Sequence, residues 1–128
     1  MPGLARVLRP GGTVGALWNE ADDRVPWLAE LAQIAEFGAL VTRVDIGTPF
    51  EDERFEPGVF EEFPNPQRLD ADSLVTLVAS FSHTIVLPPD ERGALLDAVE
   101  RFARSRFGDE PFELPYLTRA WRLTLRAA

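Results

Sequence analysis

The stretch RVLRPGGTVGALWNE, residues 6–20, decides how this chain is expected to fold. Its first residues are typical of the last turn of a helix, and Pro10 pushes the residue before it out of the helical region. The sequence Pro10-Gly11-Gly12 predicts a tight turn in which Gly11 takes the positive φ of a type II turn. The nearly unbroken apolar run of residues 13–19 then predicts a strand buried on both faces, as in a helix-flanked α/β sheet.

Length and composition favour one compact domain with a real core. The chain has 128 residues, of which 45% are hydrophobic, and this is enough for one domain but not comfortably for two. There is no Cys, which excludes disulfides, thiolate metal ligands and a Cys nucleophile. No apolar run approaches the roughly 20 residues of a membrane span, and the start MPGLARVLRP lacks the apolar core of a signal peptide. We therefore expect a cytoplasmic protein that does not partner with a membrane.

The charge of the chain excludes further classes of function. The formal net charge is -8, and residues 1–62 hold twelve Asp or Glu against five Arg, a local balance of about -7. An acidic chain repels phosphate backbones, so no nucleic-acid partner is expected. All thirteen basic residues are Arg, and the lack of Lys removes Schiff-base and P-loop lysine mechanisms.

The rest of the chain alternates between helix and strand signals. Pro26 is placed for the first turn of a helix that carries Trp27, and Gly38 is a candidate cap at its end. The remaining predictions are a surface loop over 39–58, a strand within 59–69 confined to an edge or bulge by Pro64 and Pro66, a helix capped by Asp70 or Asp72, an extended or loop segment over 84–88, a helix from Pro89 ended by Gly108, and a terminal strand within 114–125.

Motifs for catalysis, cofactor binding and metal binding are not found in the sequence. His83 is the single histidine, and a lone histidine is more often a structural residue than a catalytic one. No Ser lies in a G-x-S-x-G elbow, and Gly11 and Gly12 precede their strand, whereas a phosphate cradle needs glycines after it. The acidic runs 22–23 and 51–53 lack the spacing of a calcium loop and are interpreted as solvated charge.

One group of residues has the position expected of a ligand pocket. In open α/β sheets, ligands bind beyond the carboxyl ends of the strands. Trp18 and Asn19 end the predicted buried strand, and Arg24 and Trp27 follow in the next loop and helix. Two aromatic rings, an amide and a guanidinium could line the substrate side of a small-molecule pocket. The alternative is that both Trp side chains belong to the core and Asn19 only caps the loop.

The segment ARVLRPGGTVGALWN resembles the helix, turn and fifth strand of class I S-adenosylmethionine-dependent methyltransferases of the small-molecule, type 11-like group. The segments NEADDRVPW, QRLDADSLVTLVASFSH, LPPDERGALLDAV and ELPYLTRAWR resemble one bacterial branch of that group. The resemblance implies a Rossmann-like sheet of seven strands in the order 3-2-1-4-5-7-6, with strand 7 antiparallel. Residues 13–18 would be strand 5, residues 59–69 would contain strand 6, and residues 116–125 would be strand 7. We expect residues 14–18 to pair antiparallel with residues 118–125, which in turn pair with 59–69.

The departure from the family is large, because its cofactor site is built mainly from the first half of the fold. That half supplies a glycine-rich loop after strand 1, an acidic residue after strand 2 and residues after strand 4, and nothing in this sequence matches them. The resemblance therefore implies S-adenosylmethionine as cofactor but assigns no cofactor-binding, catalytic or metal-binding residue here. Residues 1–128 are interpreted as a single partial α/β domain: strands 5, 7 and 6, flanked by helices, without the N-terminal half.

Two interpretations follow, from different classes of function. The chain is the C-terminal portion of a methyltransferase acting on a small-molecule acceptor, and we expect it to be inactive by itself. The alternative is a non-catalytic module derived from such an enzyme, which associates with itself or docks onto an N-terminal half through the open edge of strand 13–18. A truncated gene product or a mis-set start is a third possibility.

Overall fold

The computed structural model describes residues 2–22, 24–35 and 52–127. It contains both helices and strands, as the sequence predicts. In chain order they are α1 (Pro2–Val7), β1 (Thr13–Ala21), α2 (Pro26–Ile34), β2 (Val59–Pro64), β3 (Gln67–Leu69), α3 (Ala71–Ala79), α4 (Ser82–Ile85), α5 (Pro89–Phe107), β4 (Phe112–Leu114) and β5 (Tyr116–Thr124).

The chain divides into two compact units, each of which draws on separate stretches of sequence. Unit 1 is formed by Met1–Glu20, Val44–Pro64 and Leu117–Ala128, and unit 2 by Ala21–Arg43 and Asn65–Tyr116. Unit 1 therefore contains α1, β1, β2 and β5, and unit 2 contains the other helices and the β3–β4 pair. The predicted loop over residues 39–58 and the predicted cap at Gly38 lie mostly outside the described residues.

Unit 1 is built on a three-stranded sheet in the order β1-β5-β2. β5 pairs antiparallel with β2 from Val59 opposite Arg122 to Pro64 opposite Leu117. The start of β1 meets the end of β5, since Thr13 and Thr124 join their hydroxyls at 3.2 Å, so this pair is antiparallel as well. The expected neighbours of β5 are thus the ones observed.

The glycine turn before β1 has the predicted geometry. The Gly12 amide donates to the Arg9 carbonyl at 2.7 Å, and Gly11 has a φ of 75°, which together define a type II turn. The Gly11 amide also donates to the Leu125 carbonyl at 2.9 Å, and the Leu125 amide donates to the Gly12 carbonyl at 2.8 Å. The turn therefore fixes the point where β1 joins β5.

The prediction that β1 is buried on both faces is wrong for this structure. Exposure alternates strictly along residues 13–20, and no residue of the strand is fully buried. Leu17 is 71% exposed, although its neighbours Ala16 and Trp18 are partly covered. A strand with one covered face shows this period of two, because successive side chains point to opposite faces of the sheet.

The core of unit 2 is formed by α2, α3, α5 and the β3–β4 pair. Leu74 and Val78 of α3 meet Val99 of α5 in the core, all with at most 1% of their surface exposed. α5 starts at Pro89, as predicted, and ends at Gly108, whose φ of 62° suits a glycine after the last helical turn.

Two predictions for this part of the chain need correction. Residues 82–85 form one helical turn, α4, where a loop or extended segment was expected over 84–88. The predicted strand within 59–69 is split into β2 and β3, which lie in different sheets. The pair Pro64 and Pro66 explains the break, since a proline has no amide proton to continue a ladder. β2 is an edge strand, as those prolines require.

Substitution of Gly58 tests the packing beneath β5. A Cβ at residue 58 would lie 2.0 Å from Cζ3 of Trp121 and 3.1 Å from Cδ2 of Leu123. We expect Gly58→Ala to lower the free energy of unfolding by about 1 to 3 kcal/mol, because the indole ring must shift. Gly93→Ala is the matched control: nothing lies within 4 Å of its Cβ, and the change in a helix interior should stabilise by about 0.5 to 1 kcal/mol. Urea denaturation measures both, and equal midpoints would contradict the packing.

The start of α3 generates a pH-dependent prediction. The Asp70 carboxylate accepts the Ser73 amide proton at 2.8 Å, and the hydrogen bonds from Ser73 lower the pKa of Asp70 below its ordinary value of 3.8. A lowered pKa in the folded state means that the stabilisation exists above pH 3.8 and is lost as the pH falls through the folded value. Asp70→Ala should therefore lower the melting temperature at pH 7 and have progressively less effect in acid. Asp70→Asn, which keeps a capping oxygen, should melt close to wild type at pH 7 by circular dichroism; an Ala effect that persists unchanged in acid would contradict the cap.

Candidate functional site

The most unusual feature of unit 1 is a buried arginine between two carboxylates. Arg119 lies on the central strand β5 and is 8% exposed. Its Nε lies 3.1 Å from Oε2 of Glu20 on β1 and 3.1 Å from Oε2 of Glu62 on β2. The Nε–H makes no well-aligned hydrogen bond, so these contacts are electrostatic ion pairs. The group formed by Trp18, Glu20, Phe60, Glu62 and Arg119 is called the Arg119 cluster below.

The sheet register places these residues on one face. Glu62 is directly opposite Arg119 in the β2–β5 pair. Trp18 and Glu20 share a face of β1 because they are two residues apart, and Asn19, between them, points to the other face. The face with the Arg119 cluster also carries Trp121 and Leu123, and a small apolar cavity of about 100 Å³ opens there between Leu123, α1 and the start of β1.

Both oxygens of Glu20 have a partner. Oε1 accepts a hydrogen bond from the Trp18 indole Nε1 at 2.9 Å, and Oε2 faces Arg119. The Glu20 side chain is only 16% exposed, compared with 33% for Glu62. A carboxylate held by one hydrogen bond and one ion pair has a restricted position, because each contact limits its rotamers. Glu20 is thus presented in one orientation near the carboxyl end of β1.

Aromatic rings complete the surroundings of the guanidinium. Cζ of Arg119 lies 5.8 Å from the centroid of the Phe60 ring, within the range of a cation–π interaction. The Phe60 ring lies 6.0 Å from Trp121. Two carboxylates and one guanidinium leave a net charge of -1 on this cluster, which is suited to positioning a hydroxyl or amine donor and opposes an additional anion.

The four residues predicted to line a pocket fall into two pairs. Trp18 and Asn19 are in unit 1, and Arg24 and Trp27 are in unit 2. Within the first pair the side chains point to opposite faces of β1. Trp18 belongs to the Arg119 cluster, whereas Oδ1 of Asn19 accepts a hydrogen bond from the Thr118 hydroxyl at 2.7 Å.

The second pair also separates by environment. Arg24 is 65% exposed in its side chain and donates to both oxygens of Asp22, at 2.7 Å each. Trp27 is 9% exposed and packs edge-on against Phe107 and Phe112, at centroid distances of 5.2 and 5.9 Å. Trp27 is therefore a core residue, in agreement with the alternative interpretation that the sequence left open for it.

Other polar residues considered in the sequence contact neighbouring side chains within the fold. The His83 ring stacks on Phe81 with centroids 5.9 Å apart. Asp52 forms an ion pair with Arg54, and hydrogen bonds from Arg54 lower the pKa of that carboxyl. Among residues 2–22, 24–35 and 52–127, no group of three His, Cys, Asp or Glu side chains is arranged to hold a metal ion. In the same described part, no helix is long and apolar enough to cross a membrane.

Arg119, Glu20 and Glu62 were missed in the sequence, although a signal for them existed. In the segment LTRAWRL, the positions of Leu117, Trp121 and Leu123 define the covered face of β5. Arg119 has the same parity and is therefore a charge on an apolar face, which requires an ionic partner. The identity of the two partners depends on the register of three strands and could not be found from one segment alone.

Comparison with known proteins gives the family context. No protein-family profile matches the chain. An uncharacterized methyltransferase of Mycobacterium tuberculosis is 33% identical over 98% of this chain, and a protein of the same description from Mycobacterium bovis matches equally well. An uncharacterized methyltransferase-like protein of Schizosaccharomyces pombe is 28% identical over 82% of the chain.

This chain is a homologue of these methyltransferases and matches a C-terminal portion of them. It covers 51% of the two mycobacterial proteins and 43% of the yeast protein. The chain thus spans about half the length of the curated relatives it matches. The resemblance drawn from residues 5–19 and the later segments is confirmed as a resemblance to methyltransferases.

Removal of the buried guanidinium tests the Arg119 cluster. Arg119→Met leaves Glu20 and Glu62 facing each other without a cation, and we expect a loss of about 2 to 3 kcal/mol in the free energy of unfolding. The double variant Arg119→Met, Glu62→Gln removes part of that repulsion and should recover a measurable share of the loss. Arg106→Met is the matched control, since the side chains of Arg106 and Glu30, 3.6 Å apart, are 39% and 57% exposed, and it should lose under about 1 kcal/mol. Equal effects of Arg119→Met and Arg106→Met in urea denaturation would contradict the cluster.

Proposed function

We propose that this chain is the C-terminal portion of an S-adenosylmethionine-dependent methyltransferase that acts on a small molecule. The identity of 33% over nearly the whole chain with the C-terminal portion of proteins named methyltransferases carries this proposal. The sheet order β1-β5-β2 is compatible with it; in this proposal these strands are strands 5, 7 and 6 of the family.

The glycines of this chain do not fit the cofactor. A cofactor loop offers free backbone amides at the start of a helix. Here the amides of Gly11 and Gly12 donate to the Leu125 and Arg9 carbonyls, so they are occupied in the turn and the sheet. No step of the reaction is therefore assigned to cofactor contacts in this chain. The cofactor site belongs to the portion of the fold that precedes the matched one.

The part of the reaction that falls to this chain is the positioning of the methyl acceptor. A methyl group on a sulfonium is already activated, so catalysis depends mainly on proximity and orientation. Glu20 and Arg119 lie near the carboxyl end of β1, the side of an open α/β sheet where ligands bind. A fixed carboxylate there can accept a hydrogen bond from an acceptor hydroxyl or amine. Glu20 is accordingly the residue of this chain that we assign to acceptor binding.

The alternative is a non-catalytic module that binds a partner or itself. The exposure of Leu17, Val59 and Phe63 on one side of the sheet favours it, because large apolar side chains at such positions mark interaction surfaces. Binding of S-adenosylmethionine distinguishes the two functions, because only the methyltransferase requires it.

Calorimetry with S-adenosylmethionine tests the proposal. The 128-residue chain alone should show no binding, whereas a fusion protein that places the unmatched N-terminal portion of the M. tuberculosis relative before this chain should bind. Micromolar binding by the chain alone would contradict the assignment of the cofactor site to the preceding portion. A folded fusion protein that binds neither S-adenosylmethionine nor its demethylated product would contradict the methyltransferase proposal.

A further inference from the structure

The Arg119 guanidinium has hydrogen-bond donors that the sheet does not use. An arginine carries its N–H donors in a planar fork. Nε is the only nitrogen of this side chain that is both buried and without a hydrogen bond. Nη1 and Nη2 form no hydrogen bond within the described residues, so they are accessible to solvent, although the side chain is only 10% exposed. Unpaired donors on so enclosed a side chain call for an acceptor from outside the sheet.

Glu62 places an acceptor beside these donors. Its Oε2 lies 3.1 Å from Nε of Arg119, and its side chain is 33% exposed. The Trp18 indole occupies one oxygen of Glu20, whereas Glu62 accepts no hydrogen bond from the part of the chain that the structure describes. An ionised carboxylate can accept several hydrogen bonds through its two oxygens. The cluster therefore presents a donor and an acceptor side by side.

Phe60 adds an apolar surface next to this pair. It precedes Glu62 by two residues on β2 and therefore lies on the same face of the sheet. Its ring centroid is 5.8 Å from Cζ of Arg119, and the residue is 43% exposed. An aromatic ring beside a few polar groups in restricted positions is the composition of a small-molecule site. Because Phe60 and Glu62 are the more exposed members of the cluster, a ligand would reach it from the side of β2.

The charges of the cluster decide which ligand group fits. A carboxylate or phosphate would pair with the Nη donors, but it would add a negative charge beside Glu20 and Glu62. An ammonium would pair with Glu62, but it would leave the Nη donors unpaired and place a second cation beside Arg119. A neutral group that carries a carbonyl oxygen next to an N–H satisfies donor and acceptor together. An amide is such a group.

We propose that Arg119 and Glu62 form a subsite for a neutral amide group of the methyl acceptor. The amide oxygen accepts from the Nη groups of Arg119, the amide N–H donates to Glu62, and the body of the ligand lies against Phe60. This inference rests on the proposed function, which identifies the ligand as the methyl acceptor. Glu20 keeps the role of receiving the reacting hydroxyl or amine, and the subsite fixes the orientation of the molecule relative to it.

Three probes of similar shape test the subsite in the 128-residue chain. Benzamide carries a neutral amide, benzoate carries an anion in its place, and benzylammonium carries a cation. The indole N–H of Trp18 is a reporter, because it donates to Glu20 within the cluster. Its proton NMR signal should shift saturably with benzamide, and the other two probes should bind at least about fivefold more weakly.

Arg119→Lys separates the subsite from the stability of the fold. Lysine keeps a cation between Glu20 and Glu62 but lacks the planar fork. The melting temperature should therefore fall less than in Arg119→Met, while benzamide binding should weaken about tenfold or more. Arg106→Lys is the matched control, because Arg106 lies in unit 2 and its side chain is 39% exposed. It should leave benzamide binding unchanged.

Glu62→Gln gives a result that a purely structural role would not produce. The substitution removes one negative charge and supplies an N–H donor at the same place. Benzoate should therefore gain affinity relative to benzamide, since the cluster becomes neutral and can donate to both carboxylate oxygens. This variant also decides the question if Arg119→Lys does not fold.

Three outcomes would overturn the proposal. Failure of benzamide to shift the Trp18 signal would show that water alone pairs with the Nη donors. Benzamide binding that a folded Arg119→Lys variant retains in full would place the amide elsewhere. Wild-type binding of benzoate or benzylammonium as tight as that of benzamide, or a Glu62→Gln variant with an unchanged preference, would contradict the assignment to a neutral amide.

Cofactor binding separates this proposal from the one on which it rests. Benzamide binding that depends on Arg119, together with a folded fusion protein that does not bind S-adenosylmethionine, would support the amide subsite and contradict the methyltransferase function. A fusion protein that binds S-adenosylmethionine, together with a chain that does not bind benzamide, would do the reverse.

Discussion

The pairing of β5 between β1 and β2 is the interaction on which unit 1 depends. β5 lies near the end of the chain, and it joins a strand near the beginning to one from the middle. The hydrogen bonds of the Gly11–Gly12 turn to Leu125 fix one end of this arrangement. Because side chains alternate along each strand, this single register assigns every residue of the sheet to one face or the other.

The two faces have opposite character, and each has a consequence for function. One face collects Trp18, Glu20, Arg119 and Glu62 into an ionic cluster that is largely removed from water. The other leaves Leu17, Val59 and Phe63 uncovered. The first holds polar groups in fixed positions, and burial of the second by another polypeptide would lower the free energy. Both belong to the single three-stranded sheet of unit 1.

Much of the fold was accessible from local patterns. The turn at Gly11, the helix from Pro89 to Gly108, the helix that begins at Pro26 and the terminal strand all follow from residues that act within a few positions of themselves. The main error concerns burial, which depends on what covers an element. The apolar run of β1 predicted two covered faces, and only the sheet shows that one of them is open. The helical turn at 82–85 was missed because its four residues are too few to show a periodicity.

The sequence by itself determined the resemblance to methyltransferases, the positions of most helices and strands, and the turn that introduces β1, because these depend on side-chain chemistry and spacing along the chain. Only the tertiary structure decided which charged residues meet. Glu20, Glu62 and Arg119 come from three separate segments, and their contact depends on a strand register set by backbone hydrogen bonds. The same register decided that Trp18 and Asn19 point to opposite faces of β1 and that Trp27 is a core residue of the other unit. A pocket proposed from their closeness in sequence could not anticipate this, since neighbours along a strand diverge in space.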